Sequence, residues 1–269
     1  MELSFKVRIR LKKQLEYGYN SIIEMKGKHK NALMDFGIFK LSKGQKIVDS
    51  VSKERAFLLI SGEVEIEWEG HKIGAKRSSC FYEGPWCLHV PSNVPVKIEC
   101  LDLDSEISVY KTNNEQLFDS MLFKPEDCKP EMLGAGTMKE MATRVVRTIF
   151  NKTNREKSNL LLGETINFPG KWSSYPPHHH VQPEIYFYKF NLNNGFGYSG
   201  FGDRAYKIVN NDTLLIDSPI EHPQVTAPGY AMYYTWVIRH LDNLPYLKPT
   251  FLSEHLWLND KQSKFWPDS

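Results

Sequence analysis

Along this chain, short runs in which apolar and polar residues alternate are broken at close intervals by Gly, Pro, Asn and Asp. A period of two puts successive side chains on opposite faces of an extended backbone, so each run predicts a half-buried β-strand. In the first half the predicted strands are Ala56–Ile60, Glu63–Glu67, His89–Val90, Val96–Cys100 and Ile107–Lys111. In the second half they are Asn159–Ile166, Ile185–Phe190, Gly197–Gly200, Ala205–Val209, Thr213–Ile216 and Tyr230–Ile238. The run Lys6–Lys13, apolar alternating with basic, reads as a further half-exposed strand rather than an arm for nucleic acid. Helical periodicity is sparse: Met138–Thr148 suits a short helix or a strand, and Phe251–Leu258 is equally ambiguous. Many short strands joined by turn residues predict an all-β sandwich or barrel with few helices.

The two halves read as copies of one another. Glu54-Arg55-Ala56-Phe57-Leu58-Leu59 lines up with Glu184-Ile185-Tyr186-Phe187-Tyr188-Lys189. Pro91 follows Glu54 by 37 positions and Pro219 follows Glu184 by 35, a nearly constant register. An internal repeat sets the architecture before any single element does. It predicts tandem barrels, residues 1–135 and 136–269.

Chemistry concentrates in the second copy. Pro176-Pro177-His178-His179-His180-Val181-Gln182-Pro183-Glu184 is answered downstream by Pro219-Ile220-Glu221-His222-Pro223. On an extended chain His178 and His180 share a face, and Glu184 keeps their parity. Imidazole nitrogen and carboxylate oxygen suit zinc, iron or manganese, and four such ligands leave room for water or substrate. Three consecutive histidines also suit a solvated turn or an adventitious metal patch. The aromatic and β-branched strand that Glu184 opens, followed by the turn Asn193-Asn194-Gly195, favours the built site. In the first copy the positions of His178, His180 and His222 fall on Val48, Ser50 and Val94, so the first barrel is expected to hold no metal. Phe57, Leu58, Leu59 and Ile60 read there as core, Trp68, Trp86 and His89 as core edge or interface, and the lone His89 as hydrogen-bonded; the first barrel reads as a packing platform and dimer surface ahead of a site for a substrate tail.

Charge removes some classes of partner. With 34 basic and 32 acidic residues the formal charge is +2, which argues against nucleic acid or an anionic membrane as the main partner. No apolar run approaches the roughly 20 residues that cross a bilayer, and the N-terminus lacks a signal-peptide core, so a cytoplasmic protein is expected. Cys80, Cys87, Cys100 and Cys128 form no CxxC pair and are expected to be free thiols, with a Cys80–Cys100 disulfide as the disfavoured alternative.

An HxH on a strand, then Glu, then a Pro-x-x-His turn about forty positions later resembles the paired metal motifs of the cupins. Gly170-Lys171-Trp172-Ser173-Ser174-Tyr175-Pro176-Pro177-His178-His179-His180 is narrower and resembles the signature of the bicupin 5-deoxyglucuronate isomerases of inositol catabolism. Glu184-Ile185-Tyr186-Phe187-Tyr188 and the aromatic strand ending in Trp236 resemble the sister branch, the 5-keto-4-deoxyuronate isomerases of pectin and uronate breakdown. The short connection Val181-Gln182-Pro183 is also like the pectin branch, and Ser218-Pro219-Ile220-Glu221-His222 departs from the usual small-residue form of the second motif.

The resemblance implies two tandem cupin barrels, that is, jelly-roll double-stranded β-helices. It also implies one divalent ion per chain, zinc ahead of manganese or iron, held by His178, His180, Glu184 and His222. The implied reaction is aldose–ketose isomerisation of a small sugar acid through an enediolate, 5-deoxyglucuronate to 5-dehydro-2-deoxygluconate, in a possible homo-oligomer. Tyr186, Tyr188 and Tyr234 are candidates for proton transfer, and Lys171, Tyr175, Arg204 and Trp236 for substrate contact; Arg144 and Arg147 are less well placed by sequence. Rival functions for the same fold are a non-catalytic sugar-binding cupin and a cupin dioxygenase.

Overall fold

A computed structural model describes residues 7–267. Lys6, the first residue of the predicted N-terminal strand, lies outside the described residues. Among those described, β-strands dominate and the only helical elements are short 3-10 turns, as at Met138–Glu140 and Ser253–Asn259. The chain forms two compact units, one from residues 11–129 and 148–162, the other from residues 7–10, 130–147 and 163–267. Each is an all-β cupin-type roll.

The first unit is built around one strand, Glu54–Trp68, where alternation predicts two. Its pairing register shifts between Leu59 and Ser61, and Gly62 takes φ +109°, a conformation that suits glycine. Any Cβ there would lie 2.2 Å from the Ser105 hydroxyl, so the strand bends only because that atom is missing. Before the bend it pairs with Cys87–Val90 and Asp104–Thr112; after it, with His71–Arg77 and Val96–Cys100. A single strand thereby serves both faces of the roll. Between them lies a core of Phe39, Phe57, Leu59, Ile66, Leu88 and Ile98.

In the second unit, one sheet runs Arg8–Ile9, Thr213–Ile216, Glu184–Phe190, Met232–Arg239 in spatial order, and a four-stranded sheet contains Trp172–Ser173, Gln224–Thr226, Phe196–Phe201 and Arg204–Val209. Directly opposed residues share a face. Tyr186 faces Trp236 and Tyr188 faces Tyr234 in the ladder between Glu184–Phe190 and Met232–Arg239, so Glu184, Tyr186, Tyr188, Tyr234 and Trp236 project together. The aromatic members of this face meet Ile208, Phe201 and Tyr206 of the other sheet in one apolar core. Two ambiguous segments resolve by breaking: Met138–Thr148 becomes a turn and the strand Arg144–Phe150, and Phe251–Leu258 becomes the end of the strand Thr250–Phe251 and a turn. All four cysteines are free and buried. No described helix is long and apolar enough to cross a membrane.

Gly163 lies under the indole of Trp236, where an added Cβ would stand 2.1 Å from ring carbon Cζ2. The extra methyl would have to displace an indole packed on the barrel core, so Gly163→Ala overpacks the wall that carries the aromatic residues. Loss of about 1–3 kcal/mol is expected in urea unfolding, the usual cost of forcing extra volume into a packed interior.

Candidate metal centre

Two segments deliver the histidines. His178 lies in the two-residue strand His178–His179, paired with Thr250–Phe251; His180 follows it, ahead of a bend at Val181–Gln182; His222 sits in the loop before Gln224–Thr226. Glu184 opens the central strand of its sheet. Because of the bend, His180 and Glu184 meet across a turn and not by alternation along one continuous strand.

Each imidazole is held by a backbone carbonyl two residues away. His178 Nδ1 bonds Pro176 O at 3.0 Å, His180 Nδ1 bonds Gln182 O at 2.9 Å, and His222 Nδ1 bonds Ile220 O at 2.9 Å. A carbonyl only accepts, so each Nδ1 carries the proton and donates it. Every Nε2 of a neutral ring is thereby left to offer a lone pair. His180 Nε2 lies 3.1 Å from Glu184 Oε2, and His222 Nε2 lies 3.3 Å from the same oxygen. The latter contact lacks hydrogen-bond alignment, and His222 Nε2 is buried without a hydrogen-bond partner. His180, Glu184 and His222, all buried, bring one ligand atom each to within 4.8 Å of one another and could hold a metal ion. Two buried lone pairs aimed at a carboxylate repel unless a proton or a cation lies between them. The donor set, two imidazole nitrogens and a carboxylate oxygen, suits a borderline divalent ion.

His178 is close to this group but outside it. Its ring centroid is 5.4 Å from that of His222, and its edge meets Phe251 at 5.5 Å. Burial, aided by the neighbouring His222, pushes its pKa down to about 4, so it is neutral at neutral pH. Burial pushes the Glu184 carboxyl up, but in the metal-free protein a proton between it and the His180 and His222 rings, as that contact requires, outweighs burial and holds the group at about 2.

The remaining candidates divide by what their polar atoms touch. Tyr188 is fully buried and donates to Gln224 Oε1 at 2.8 Å; Gln224 in turn donates to His222 O at 2.7 Å, fixing the His222 loop. Tyr186 stands 5.8 Å from the His222 ring, with its hydroxyl 3.1 Å from Ser174 Oγ. Tyr234 donates to Ser173 Oγ at 2.8 Å. Burial raises the pKa of all three phenols, so they stay protonated. Trp236 packs on the barrel core, and Tyr175 packs on the Met138, Ala142 and Leu258 cluster. Lys171 donates to the Glu140 carbonyl, and Arg204 stands exposed at the start of its strand. Sequence reasoning passes over Gln182, Gln224 and Tyr246. Tyr246 sets its ring edge-on to His180 at 4.9 Å, and Gln182 supplies the carbonyl that orients His180. Gln182 and Gln224 each sit two residues from a predicted ligand, the spacing of a chain that folds back on its own imidazole; Tyr246 comes from an irregular segment with no periodic signal.

Residues 9–258 match the model of the KduI/IolB family. The chain belongs to that family. Curated relatives include the 5-deoxy-glucuronate isomerase of Geobacillus thermodenitrificans, 26% identical over 220 residues that cover 74% of this chain and 77% of the relative. Another is the 5-deoxy-glucuronate isomerase of Halalkalibacterium halodurans, 28% identical over 226 residues, 76% and 82% of the two chains. Among solved structures, an IolB-like protein from Salmonella typhimurium superposes with TM-score 0.78 at 22% identity, covering 92% of this chain and 97% of that one. An oxalate decarboxylase from Lactobacillus farciminis superposes with TM-score 0.65 at 11% identity over 93% and 89%, a likeness of fold alone. The expected bicupin fold, family and isomerase class hold.

The titrations fix a direction for the metal-free protein. Below pH 6.5 an unfolded chain takes up a proton at His178 that the folded protein refuses until about pH 4, and below 4.5 it takes up one at Glu184 that the folded protein refuses until about pH 2. At these two groups the unfolded state binds more protons throughout, so their contribution to stability is complete above pH 6.5 and falls with acid, first through the His178 window and then through that of Glu184. Thermal melts of chelator-treated protein should show this decline, and Glu184→Gln should remove the limb below pH 4.5 while leaving the upper one.

Proposed function

We propose that this protein isomerises 5-deoxyglucuronate to 5-dehydro-2-deoxygluconate with one divalent ion, zinc by preference, in the inositol-breakdown step that its motif resemblance implies. The observation that carries the reading is the unpartnered, buried Nε2 of His222 aimed at the Glu184 carboxylate beside His180. His180, Glu184 and His222 would hold the ion, with His178 as the fourth ligand one ring away. Bound there, a divalent cation would supply Lewis-acid stabilisation of the negative charge that develops on oxygen while a base on the barrel wall carries a proton from the carbon beside the carbonyl to its neighbour.

The chain's own groups supply the rest. Tyr186, a neutral phenol beside His222 and hydrogen-bonded with Ser174, is placed to give a proton to the substrate's carbonyl oxygen and take one from the neighbouring hydroxyl. Tyr234, hydrogen-bonded to Ser173, orients the neighbouring hydroxyls. Tyr188 acts through Gln224 as a positioning residue for His222, its hydroxyl being already committed. Apolar packing of Tyr246 and Phe251 against the imidazoles excludes water from the reacting oxygens. The curated relatives' names favour 5-deoxyglucuronate. The short Val181-Gln182-Pro183 connection favours 5-keto-4-deoxyuronate as a second reading.

An NMR assay of purified protein with each of the two compounds, before and after chelation, tests this. We expect ketose signals from 5-deoxyglucuronate, loss of turnover on chelation, recovery with zinc, manganese or iron(II), and at least about a hundredfold loss in His222→Ala, in keeping with the cost of disturbing a metal's coordination shell. Turnover of 5-keto-4-deoxyuronate alone moves the assignment to the second substrate, and undiminished turnover after complete chelation overturns the metal-dependent mechanism.

A further inference from the structure

Arg144, in the second unit, heads the strand Arg144–Phe150, and its surroundings set it apart from the other cations of that unit. Its guanidinium is half-buried, and burial works against its charge. Its hydrogen bond goes to a backbone carbonyl, Nη1 to Ala142 O at 2.8 Å. Among the described residues no carboxylate pairs with it. Arg147, three positions on and so on the opposite face of the strand, shows what a structural arginine looks like in this barrel: it pairs with buried Glu164 at 2.8 Å, and that carboxylate also accepts from Tyr233 Oη. Arg144 has no such partner. Burial lowers its pKa, and the phenols of Tyr234 and Tyr186 work the other way.

Those two phenols connect it to the candidate metal centre. The Tyr186 and Tyr234 ring centroids lie 4.9 Å apart, and Tyr186 lies 5.8 Å from the His222 ring. The strand of Arg144 lies two places from Met232–Arg239, the strand of Tyr234, in one sheet. A six-carbon acid, with five carbon–carbon bonds of about 1.5 Å, stretches to roughly 6 Å from its first carbon to its last, comparable to the 5.8 Å between the Tyr186 and His222 rings. The alternative is a packing arm whose charge water satisfies, as for most surface arginines. Against it stand the partial burial, the missing carboxylate and the neutral polar wall of Tyr186, Tyr234, Ser173 and Ser174, which leaves a cation with capacity for an incoming anion. The predicted carboxylate contacts do not offer this: Lys171 is turned to the Glu140 carbonyl and Arg204 is exposed.

We infer that Arg144 binds the substrate's carboxylate and so sets both the preference for sugar acids over neutral sugars and the end of the molecule that reaches His180, Glu184 and His222. Resting on the isomerase reading, this deepens it by naming the group that recognises the acid. A planar guanidinium matches a carboxylate with two parallel hydrogen bonds, which lysine does not reproduce.

The test uses zinc-loaded full-length protein and its Arg144→Gln and Arg144→Lys variants, with equal thermal midpoints and zinc content as the check on folding. Calorimetry with D-glucuronate and with D-glucose gives a readout independent of turnover. Wild type is expected to bind glucuronate and not glucose; Arg144→Gln should lose about ten- to hundredfold in affinity for glucuronate, the size of a charge-assisted pair, and Arg144→Lys should recover part of it. With 5-deoxyglucuronate the loss should fall on KM more than on kcat. Glucuronate affinity and KM unchanged in Arg144→Gln, or no preference for glucuronate in wild type, overturns the assignment. If binding depends on Arg144 but no uronate is isomerised, the anchor stands and the proposed reaction fails. If wild type and Arg144→Gln both turn over 5-deoxyglucuronate with the same KM, the reaction stands and the anchor fails.

Discussion

One repeated hydrogen bond governs the second barrel: an imidazole Nδ1–H donating to a main-chain carbonyl two residues away. It occurs at His178, His180 and His222, and in each case it fixes the tautomer, the ring plane and the direction of the Nε2 lone pair. At His180 and His222 that direction is toward one oxygen of Glu184. Such an arrangement is costly in a buried place unless a positive charge completes it. The surrounding fold supplies what the arrangement needs: a bend at Val181–Gln182 that turns His180 back on Glu184, a Tyr188–Gln224 pair that holds the His222 loop, and Tyr246 against the His180 ring.

The first unit shows the same strand-opening carboxylate used in the opposite way. Glu54 occupies the position equivalent to Glu184, and its oxygens accept from Ser158 Oγ, from His89 Nε2 at 2.8 Å, from Asn114 Nδ2 at 2.7 Å and from the Asn159 amide at 2.8 Å. Burial raises its pKa, and the donors, His89 first, outweigh that and keep it ionised. His89 in turn accepts from Arg155 Nε on its other nitrogen, so both ring nitrogens are spoken for. A buried carboxylate saturated by protein donors is a structural knot. Glu184, facing two lone pairs, is the one left with unmet electrostatic demand.

Much of this is legible in the sequence, for definite reasons. Alternation reports which face a strand buries, and it puts Glu184, Tyr186 and Tyr188 on one face, while the repeat register points to His222. His89 is hydrogen-bonded as its isolation suggests. Alternation says nothing about a strand that changes partners midway, so Glu54–Trp68 reads as two strands until the missing Cβ of Gly62 explains its bend. Short strands such as Trp172–Ser173 and His178–His179 are fixed by their partners and leave no period to read. Tyr246 escapes the sequence for a related reason, and Arg144 ranks low in it: nearness along the chain to the signature makes Lys171 and Arg204 the obvious cations, whereas strand pairing, not chain distance, decides which cation stays unpaired.

Histidine tautomers test the central claim most directly. Two-bond proton–nitrogen correlation spectra of nitrogen-15 histidine-labelled protein, with and without one equivalent of zinc, report which ring nitrogen carries the proton and which meets the metal. Proton retention on Nδ1 of His180 and His222, with zinc shifting their Nε2 resonances alone, is the predicted result. Zinc shifting Nδ1 or neither nitrogen, or an Nδ1 that carries no proton, would contradict it.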